Sequence, residues 1–285
     1  MLTISGKTTC CGIIGDPIEH TISPAMHNAA FKESGLDHVY LPFRVKREEL
    51  KEAINGMRAL NIRGLNVTLP HKVAVIPFLD NLDSLALKIG AVNTIANSDG
   101  ILTGYNTDAS GFIQALLEKG IEPREKKVVI LGAGGAARAI SFVLAERGAN
   151  LVILNRTRDR ARECASMISE GEIEALELND ENLAKALHKA DILVNATSIG
   201  MSPDVDKTPV TSGLLRPGLT VFDVVYNPLR TKLLKEAEAV GAGTISGLDM
   251  LLWQGALAFK QWTGLKAPVK VMRAELMKGL RGYEN

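Results

Sequence analysis

Gly132-Ala133-Gly134-Gly135-Ala136-Ala137 has the spacing Gly-x-Gly-x-x-Ala, which could cradle a pyrophosphate. The first glycine permits a tight turn, the second lets the backbone approach the phosphates, and the small third residue lets a helix pack close to a strand. Lys127 to Leu131 just before it reads as a buried strand, and Gly135 to about Arg147 just after it reads as a helix. Free amides and the positive helix end would then face the anion. The plain alternative is a tight turn with no ligand. The next strand ends at Leu154, where an NAD-binding protein places a carboxylate on the ribose. This chain carries Asn155-Arg156-Thr157-Arg158-Asp159-Arg160 instead. Guanidiniums grip a phosphate bidentately and a carboxylate would repel it, so NADP is expected over NAD. A solvated basic turn is the competing reading.

A second set of polar residues interrupts apolar runs in the first third of the chain. Asn66 and Thr68 stand two apart on one expected strand and so share a face. Pro70 ends that strand, and Lys72 is expected at the start of the following helix. Asn93 lies in an otherwise apolar hairpin arm, and Asp108 follows Asn106 and Thr107. Thr21 and Ser23 precede Pro24 at a helix N-terminus, where hydroxyls and amides can hold a carboxylate. Each has a plainer role available: Ser23 as a cap, Thr68 as a β-former, Lys72 as a surface lysine.

The elements that must position these groups alternate along the chain. Strands are expected at Thr9 to Gly15, Val39 to Val45 (an edge, from Pro42) and Gly64 to Leu69, with helices from Ala25 to Lys32 and through Leu50, Ile54 and Met57. Ala91 to Ala96 and Ile101 to Tyr105 flank Asn97-Ser98-Asp99-Gly100, a hairpin signal. From Asp108 onward strands and helices alternate at the pitch of a parallel doubly wound sheet. After about Leu248 the chain is helical again, and one economical packing returns it to the first domain. The expected fold is therefore α/β with two domains. Residues 1–107 and 248–285 form a substrate domain, and residues 108–247 form a Rossmann-like dinucleotide domain.

At 285 residues, 46% hydrophobic and 23% charged, with a net charge of +1, the chain has no field for nucleic acid or an anionic membrane. No run approaches a membrane span and no secretory leader is apparent, so a cytoplasmic protein is expected. The five histidines are scattered, and no metal site is expected. Cys10 and Cys11 read as two small core residues, with a vicinal redox pair as the alternative.

Read in order, the motifs resemble those of the shikimate dehydrogenase family. They are Gly15 to Asn28, Asn66-Val67-Thr68-Leu69-Pro70-His71-Lys72, Gly90 to Thr94, Gly104 to Asp108, Gly132 to Ala137, Asn155-Arg156-Thr157, Asn195 to Met201, Tyr226-Asn227-Pro228, and Gly247 to Leu251 with Gln254. The resemblance implies reversible NADP-dependent reduction of 3-dehydroshikimate to shikimate in aromatic amino-acid biosynthesis. It implies Lys72 and Asp108 as the catalytic pair, Thr21 and Ser23 on the substrate carboxylate, and Asn66, Thr68, Asn93 and Gln254 on the ring hydroxyls. Tyr226 also falls in the substrate set. The implied cofactor residues are Gly132, Ala133, Gly134, Gly135, Ala136, Asn155, Arg156, Thr157, Arg160, Thr197, Val224 and Gly247. Lys72 would give a proton to the developing alkoxide while Asp108 keeps it charged and oriented.

The family usually carries serine where this chain has Thr21, whose methyl tightens the carboxylate end. A dual quinate/shikimate dehydrogenase is accordingly the alternative. A glutamyl-tRNA reductase type would need a nucleophilic cysteine and a basic RNA face, and a dinucleotide sensor would leave Lys72 and Asp108 idle. The sequence does not fix the oligomeric state, for which a homodimer is one option.

Overall fold

The computed structural model describes residues 4–168 and 172–281. The chain divides into two compact units, Met1–Thr107 with Leu252–Asn285, and Asp108–Leu251.

The first unit holds β1 (Thr9–Gly15), α1 (Ser23–Glu33), β2 (His38–Arg44), α2 (Leu50–Ala59), β3 (Gly64–Val67), β4 (Asn81–Leu82), α3 (Ser84–Ile89), β5 (Thr94–Ser98) and β6 (Ile101–Tyr105). Its sheet runs β2-β1-β3-β5-β6-β4, parallel across β2-β1-β3 and antiparallel through β5 and β6. β2 is an edge, as Pro42 requires. The β5–β6 hairpin turns through Asp99 and Gly100, both at positive φ, which matches the right-handed twist of the strands. One core gathers Ile14, Leu50, Ile54, Met57, Leu65, Val67 and Ile95 from the strands and α2.

The segment after β3 departs from expectation. Lys72 does not open an α-helix: residues 72–75 are turns leading into a 3-10 turn at Ile76–Phe78. Pro77 lies in that stretch, and its missing N–H and fixed φ discourage a longer helix. β4 and α3 fill the remainder of a stretch where short apolar runs gave no periodic signal.

In the second unit follow α4 (Thr107–Glu118), β7 (Lys127–Leu131), α5 (Gly135–Glu146), β8 (Asn150–Asn155), α6 (Arg158–Ser166), β9 (Ile173–Glu177), α7 (Asp180–Leu187), β10 (Ile192–Asn195), β11 (Thr220–Asp223), α8 (Lys232–Ala239) and β12 (Gly243–Ser246). The sheet is wholly parallel in the order β12-β11-β10-β7-β8-β9. Counted from β7, that is 3-2-1-4-5-6 read from the other edge, the doubly wound dinucleotide order with its switch point between β7 and β10.

α9 (Gly247–Thr263) and α10 (Val269–Arg281) close the chain. α10 packs on α1, and Trp262 at the end of α9 donates from Nε1 to Ile95 O at 3.0 Å, so the C-terminal helices return to the first unit. Cys10 and Cys11 are free thiols, and burial pushes Cys11 up to about 12, which suits a core residue.

His27 on α1 is wholly buried, its ring stacked 4.4 Å from Tyr40 and tilted 5.2 Å from Trp262. Neither ring nitrogen has a hydrogen-bond partner among the described residues, and burial holds its pKa down to about 3. The native state therefore refuses a proton that the unfolded chain accepts near 6.5. Stability from this group is present above pH 6.5 and drains as pH falls below it. The expected loss between pH 7 and 5 is about 2 kcal/mol. Replacing His27 by Phe removes the proton site, so denaturant unfolding should show the variant gaining on wild type by that amount over the interval. A stability gap that stays constant with pH would contradict this, because any steric strain from the larger ring does not titrate.

Candidate active site

The polar residues singled out in the first unit form a buried network. Asn66 on β3 is register-paired with Thr94 on β5, and its Nδ2 donates to Thr94 Oγ1 at 3.0 Å and to Asn93 O at 3.2 Å. Its Oδ1 accepts from the Tyr40 hydroxyl at 2.7 Å. These bonds fix which way the amide faces. Asn93, 3% exposed, accepts on Oδ1 from Thr107 N at 2.6 Å and from the Thr107 and Thr94 hydroxyls, and its Nδ2 donates to Gln254 Oε1 at 3.5 Å. Asn66, Asn93 and Gln254 are thus joined in one unit by groups on four elements. Burial raises the Tyr40 phenol well above its usual value, so it stays a donor.

Thr68 lies one residue past β3, but its N–H donates to Ile14 O at 3.0 Å and carries the strand geometry on, leaving its side chain half-buried. The turn that presents Lys72 is pinned from several sides. The wholly buried His71 bonds from Nε2 to Val45 O at 2.7 Å, and since a carbonyl only accepts, Nε2 is the protonated nitrogen. His71 N donates to Thr68 O at 2.9 Å, and Val92 N donates to Lys72 O at 2.8 Å. Lys72 itself is half-buried.

At α1 the cap position is Ile22, with no side-chain cap bond. Ser23 is therefore not the cap that sequence reading allowed. Thr21 Oγ1 instead accepts from Ser23 N at 3.3 Å, and the Ser23 side chain is buried. Asp108 stands in the first turn of α4, 9% exposed, directly after Thr107.

In the second unit Gly132 ends β7 at φ +107°, a conformation glycine adopts without strain. A Cβ there would stand 3.1 Å from Ala196 O and 3.2 Å from Thr197 Cγ2. Gly134 is exposed and caps α5 with no side-chain bond, so the first amides of α5, around Gly135 and Ala136, have no capping side chain in the way. After β8, Asn155 Nδ2 donates to Thr157 O at 2.9 Å, and Arg156, Thr157 and Arg160 are exposed. Asp159 pairs with Arg162 at 3.5 Å, while Arg156, Arg158 and Arg160 have no ion-pair partner among the described residues. A bare turn, an open helix end and three unpaired guanidiniums fit a phosphorylated dinucleotide. Tyr226 is half-buried after β11, and Gly247 opens α9 so close to Val224 that a Cβ would strike its carbonyl.

Tyr40 and Thr94 carry no sign of a site in the sequence, because tyrosine and threonine are ordinary strand residues, and Thr107 stands out only as a neighbour of Asp108. Asp223 left a signal, an acid inside Val221-Phe222-Asp223-Val224-Val225, that was passed over. Among the described residues no cluster could hold a metal ion, and no helix is long and apolar enough to cross a membrane.

Residues 13–95 match the family model described as the shikimate dehydrogenase substrate binding domain, residues 115–224 that of shikimate / quinate 5-dehydrogenase, and residues 247–277 that of the shikimate 5'-dehydrogenase C-terminal domain. A shikimate dehydrogenase (NADP(+)) of Moorella thermoacetica is 49% identical over 284 residues, covering 98% of this chain and 96% of the relative. One from Methanopyrus kandleri is 51% identical over 286 residues, covering 98% and 99%. A crystal structure of a shikimate dehydrogenase in complex with NADP+ matches with a TM-score of 0.91 at 45% identity, covering 98% of both chains. With its motifs in order from Gly15 to Gln254 and near-half identity end to end, the chain belongs to the shikimate dehydrogenase family.

Proposed function

We infer that this protein is an NADP-dependent oxidoreductase that interconverts 3-dehydroshikimate and shikimate, a step toward aromatic amino acids. The observation that carries the reading is identity of 49% and 51% with two NADP(+) shikimate dehydrogenases across 98% of the chain. The same relatives do not favour the quinate alternative.

The roles proposed for individual residues follow from their chemistry. NADPH, when bound, supplies the hydride. Gly132, Ala133, Gly134, Gly135 and Ala136 take its pyrophosphate, Asn155, Arg156, Thr157 and Arg160 its 2′-phosphate end, and Thr197, Val224 and Gly247 the remainder. Their support is the open helix end and the guanidiniums of Arg156 and Arg160, which have no ion-pair partner among the described residues. Thr21 and Ser23 hold the substrate carboxylate, while Asn66, Thr68, Asn93, Gln254 and Tyr226 hold the ring. Lys72 and Asp108 are the catalytic pair: the ammonium protonates the oxygen that receives negative charge, with Asp108 as the acidic member. A cytoplasmic location is part of this reading, and a homodimer is compatible with it.

Tyr40 gives a check on the ring-binding role of Asn66. Tyr40→Phe strips the donor from a buried amide oxygen, which costs about 1–3 kcal/mol of stability. With one of the three bonds that orient the amide gone, the KM for shikimate should rise about fivefold to tenfold with kcat little changed, since this is ground-state binding. An unchanged KM would show that Asn66 does not rely on Tyr40.

The reading as a whole is tested by nicotinamide absorbance, offering shikimate or quinate against NADP+ or NAD+. Reduction of NADP+ with shikimate far outpacing the other three pairs is expected. Faster turnover with NAD+ or with quinate would overturn it.

A further inference from the structure

Asp223 closes β11 within an apolar run, and none of its side chain reaches solvent. Three donors converge on it. Thr231 Oγ1 donates to Oδ2 at 2.6 Å, and Asn195 Nδ2 and Val225 N donate to Oδ1 at 2.9 and 3.1 Å. Burial pushes its carboxyl up to about 6, while the three donors pull the other way. An apolar residue would pack this strand end with less desolvation, so the acid supplies something beyond packing.

What it supplies is a junction between two loops. Asn195 and Thr231 are as fully buried as Asp223. Asn195 ends β10 and is register-paired with Asp223. Its Oδ1 accepts from Thr197 N at 3.1 Å and from Thr197 Oγ1 at 2.7 Å, and its Nδ2 also reaches Ile199 O at 3.2 Å. Thr231 accepts from Leu234 N at 3.3 Å, capping α8 and so fixing the far end of the loop that leaves β11. Ser202 N donates to Asn227 O at 3.0 Å, tying one loop to the other. Both loops leave the carboxyl ends of parallel strands, the edge where doubly wound sheets bind their ligands. On one side Thr197 touches the space over Gly132, and on the other the Val224 carbonyl abuts Gly247.

We propose that Asp223 is a positioning residue for the dinucleotide: through Asn195 and Thr231 it fixes the loops at 196–201 and 224–231, and so holds the Thr197 hydroxyl and the Val224 backbone in register with the Gly132 turn. It does not touch the cofactor. The proposal rests on the reading of this unit as the NADP site.

Calorimetric titration of the full-length protein with NADP+ alone tests it, alongside steady-state kinetics and thermal unfolding of the unliganded protein. Asp223→Asn keeps the shape but sets an amide N–H against the Thr231 hydroxyl. Its Kd for NADP+ should weaken about tenfold, the equivalent of one well-placed hydrogen bond. Its KM for shikimate should stay within about twofold. Thr231→Val should weaken NADP+ binding about fivefold and Thr231→Ser, which keeps the hydroxyl, should restore it. The Thr231 pair carries the test if Asp223→Asn does not fold. A purely structural role would lower the melting temperature without moving the Kd, or would shift both substrates alike. Wild-type NADP+ affinity in the folded Asp223→Asn and Thr231→Val proteins overturns the proposal and leaves the NADP reading standing. A wild-type protein that does not bind NADP+ overturns both.

Discussion

Lys72→Met is expected to lower kcat by about 10²- to 10⁴-fold, the range by which a positioned proton donor accelerates a reaction. The reduction of a ketone places negative charge on oxygen, and in the proposed role the Lys72 ammonium would answer that charge twice, by attraction and by proton transfer. Methionine keeps most of the length and apolar stem of lysine but offers neither. The fold should tolerate the change, because backbone bonds and His71 anchor the turn: Val92 N to Lys72 O at 2.8 Å, His71 Nε2 to Val45 O at 2.7 Å, His71 N to Thr68 O at 2.9 Å. KM for shikimate should move far less than kcat. A variant with near wild-type kcat and a raised KM would reassign Lys72 to binding alone.

Replacing Arg156 and Arg160 together by serine is expected to raise the KM for NADP+ by about 100-fold while leaving NAD+ kinetics nearly unchanged. Each charge-assisted bond to a phosphate is worth about 1.5–3 kcal/mol, so two of them lost would more than account for a shift of that size. Both side chains are exposed and neither has an ion-pair partner among the described residues, so no internal contact is lost with them. Stability should therefore stay within about 0.5 kcal/mol of wild type. Equal losses with NADP+ and NAD+ would place the arginines elsewhere than on the 2′-phosphate.

The dinucleotide unit was the more legible half of the chain. Its strands are continuous apolar runs such as Val128 to Leu131 and Leu151 to Leu154, buried on both faces, and such runs announce a parallel sheet. The glycine pattern then sits where the topology puts its switch point. The first unit was harder. Short runs around Pro70 and Pro77 hid the turn that presents Lys72, and a two-residue strand at Asn81–Leu82 has too few residues to show any period.

At the site, amides standing in apolar runs were visible as misfits, which is why Asn66 and Asn93 drew attention. Tyr40, Thr94 and Thr107 were not misfits in their strands and turns. Their function in the network depends on partners 13 to 28 residues away, such as Tyr40 to Asn66, Thr94 to Asn66 and Thr94 to Thr107, and pairing at that range is set by the fold. Asn195 was visible within its motif, but its partnership with Asp223 follows from strand register.

The proposed reaction is best followed in the biosynthetic direction. Purified protein is mixed with 3-dehydroshikimate and limiting NADPH, and the products are quantified by proton NMR. One shikimate formed for each NADPH consumed is the expected result. Consumption of NADPH without shikimate, or no consumption at all by folded protein, would show that the protein does not catalyse this reduction.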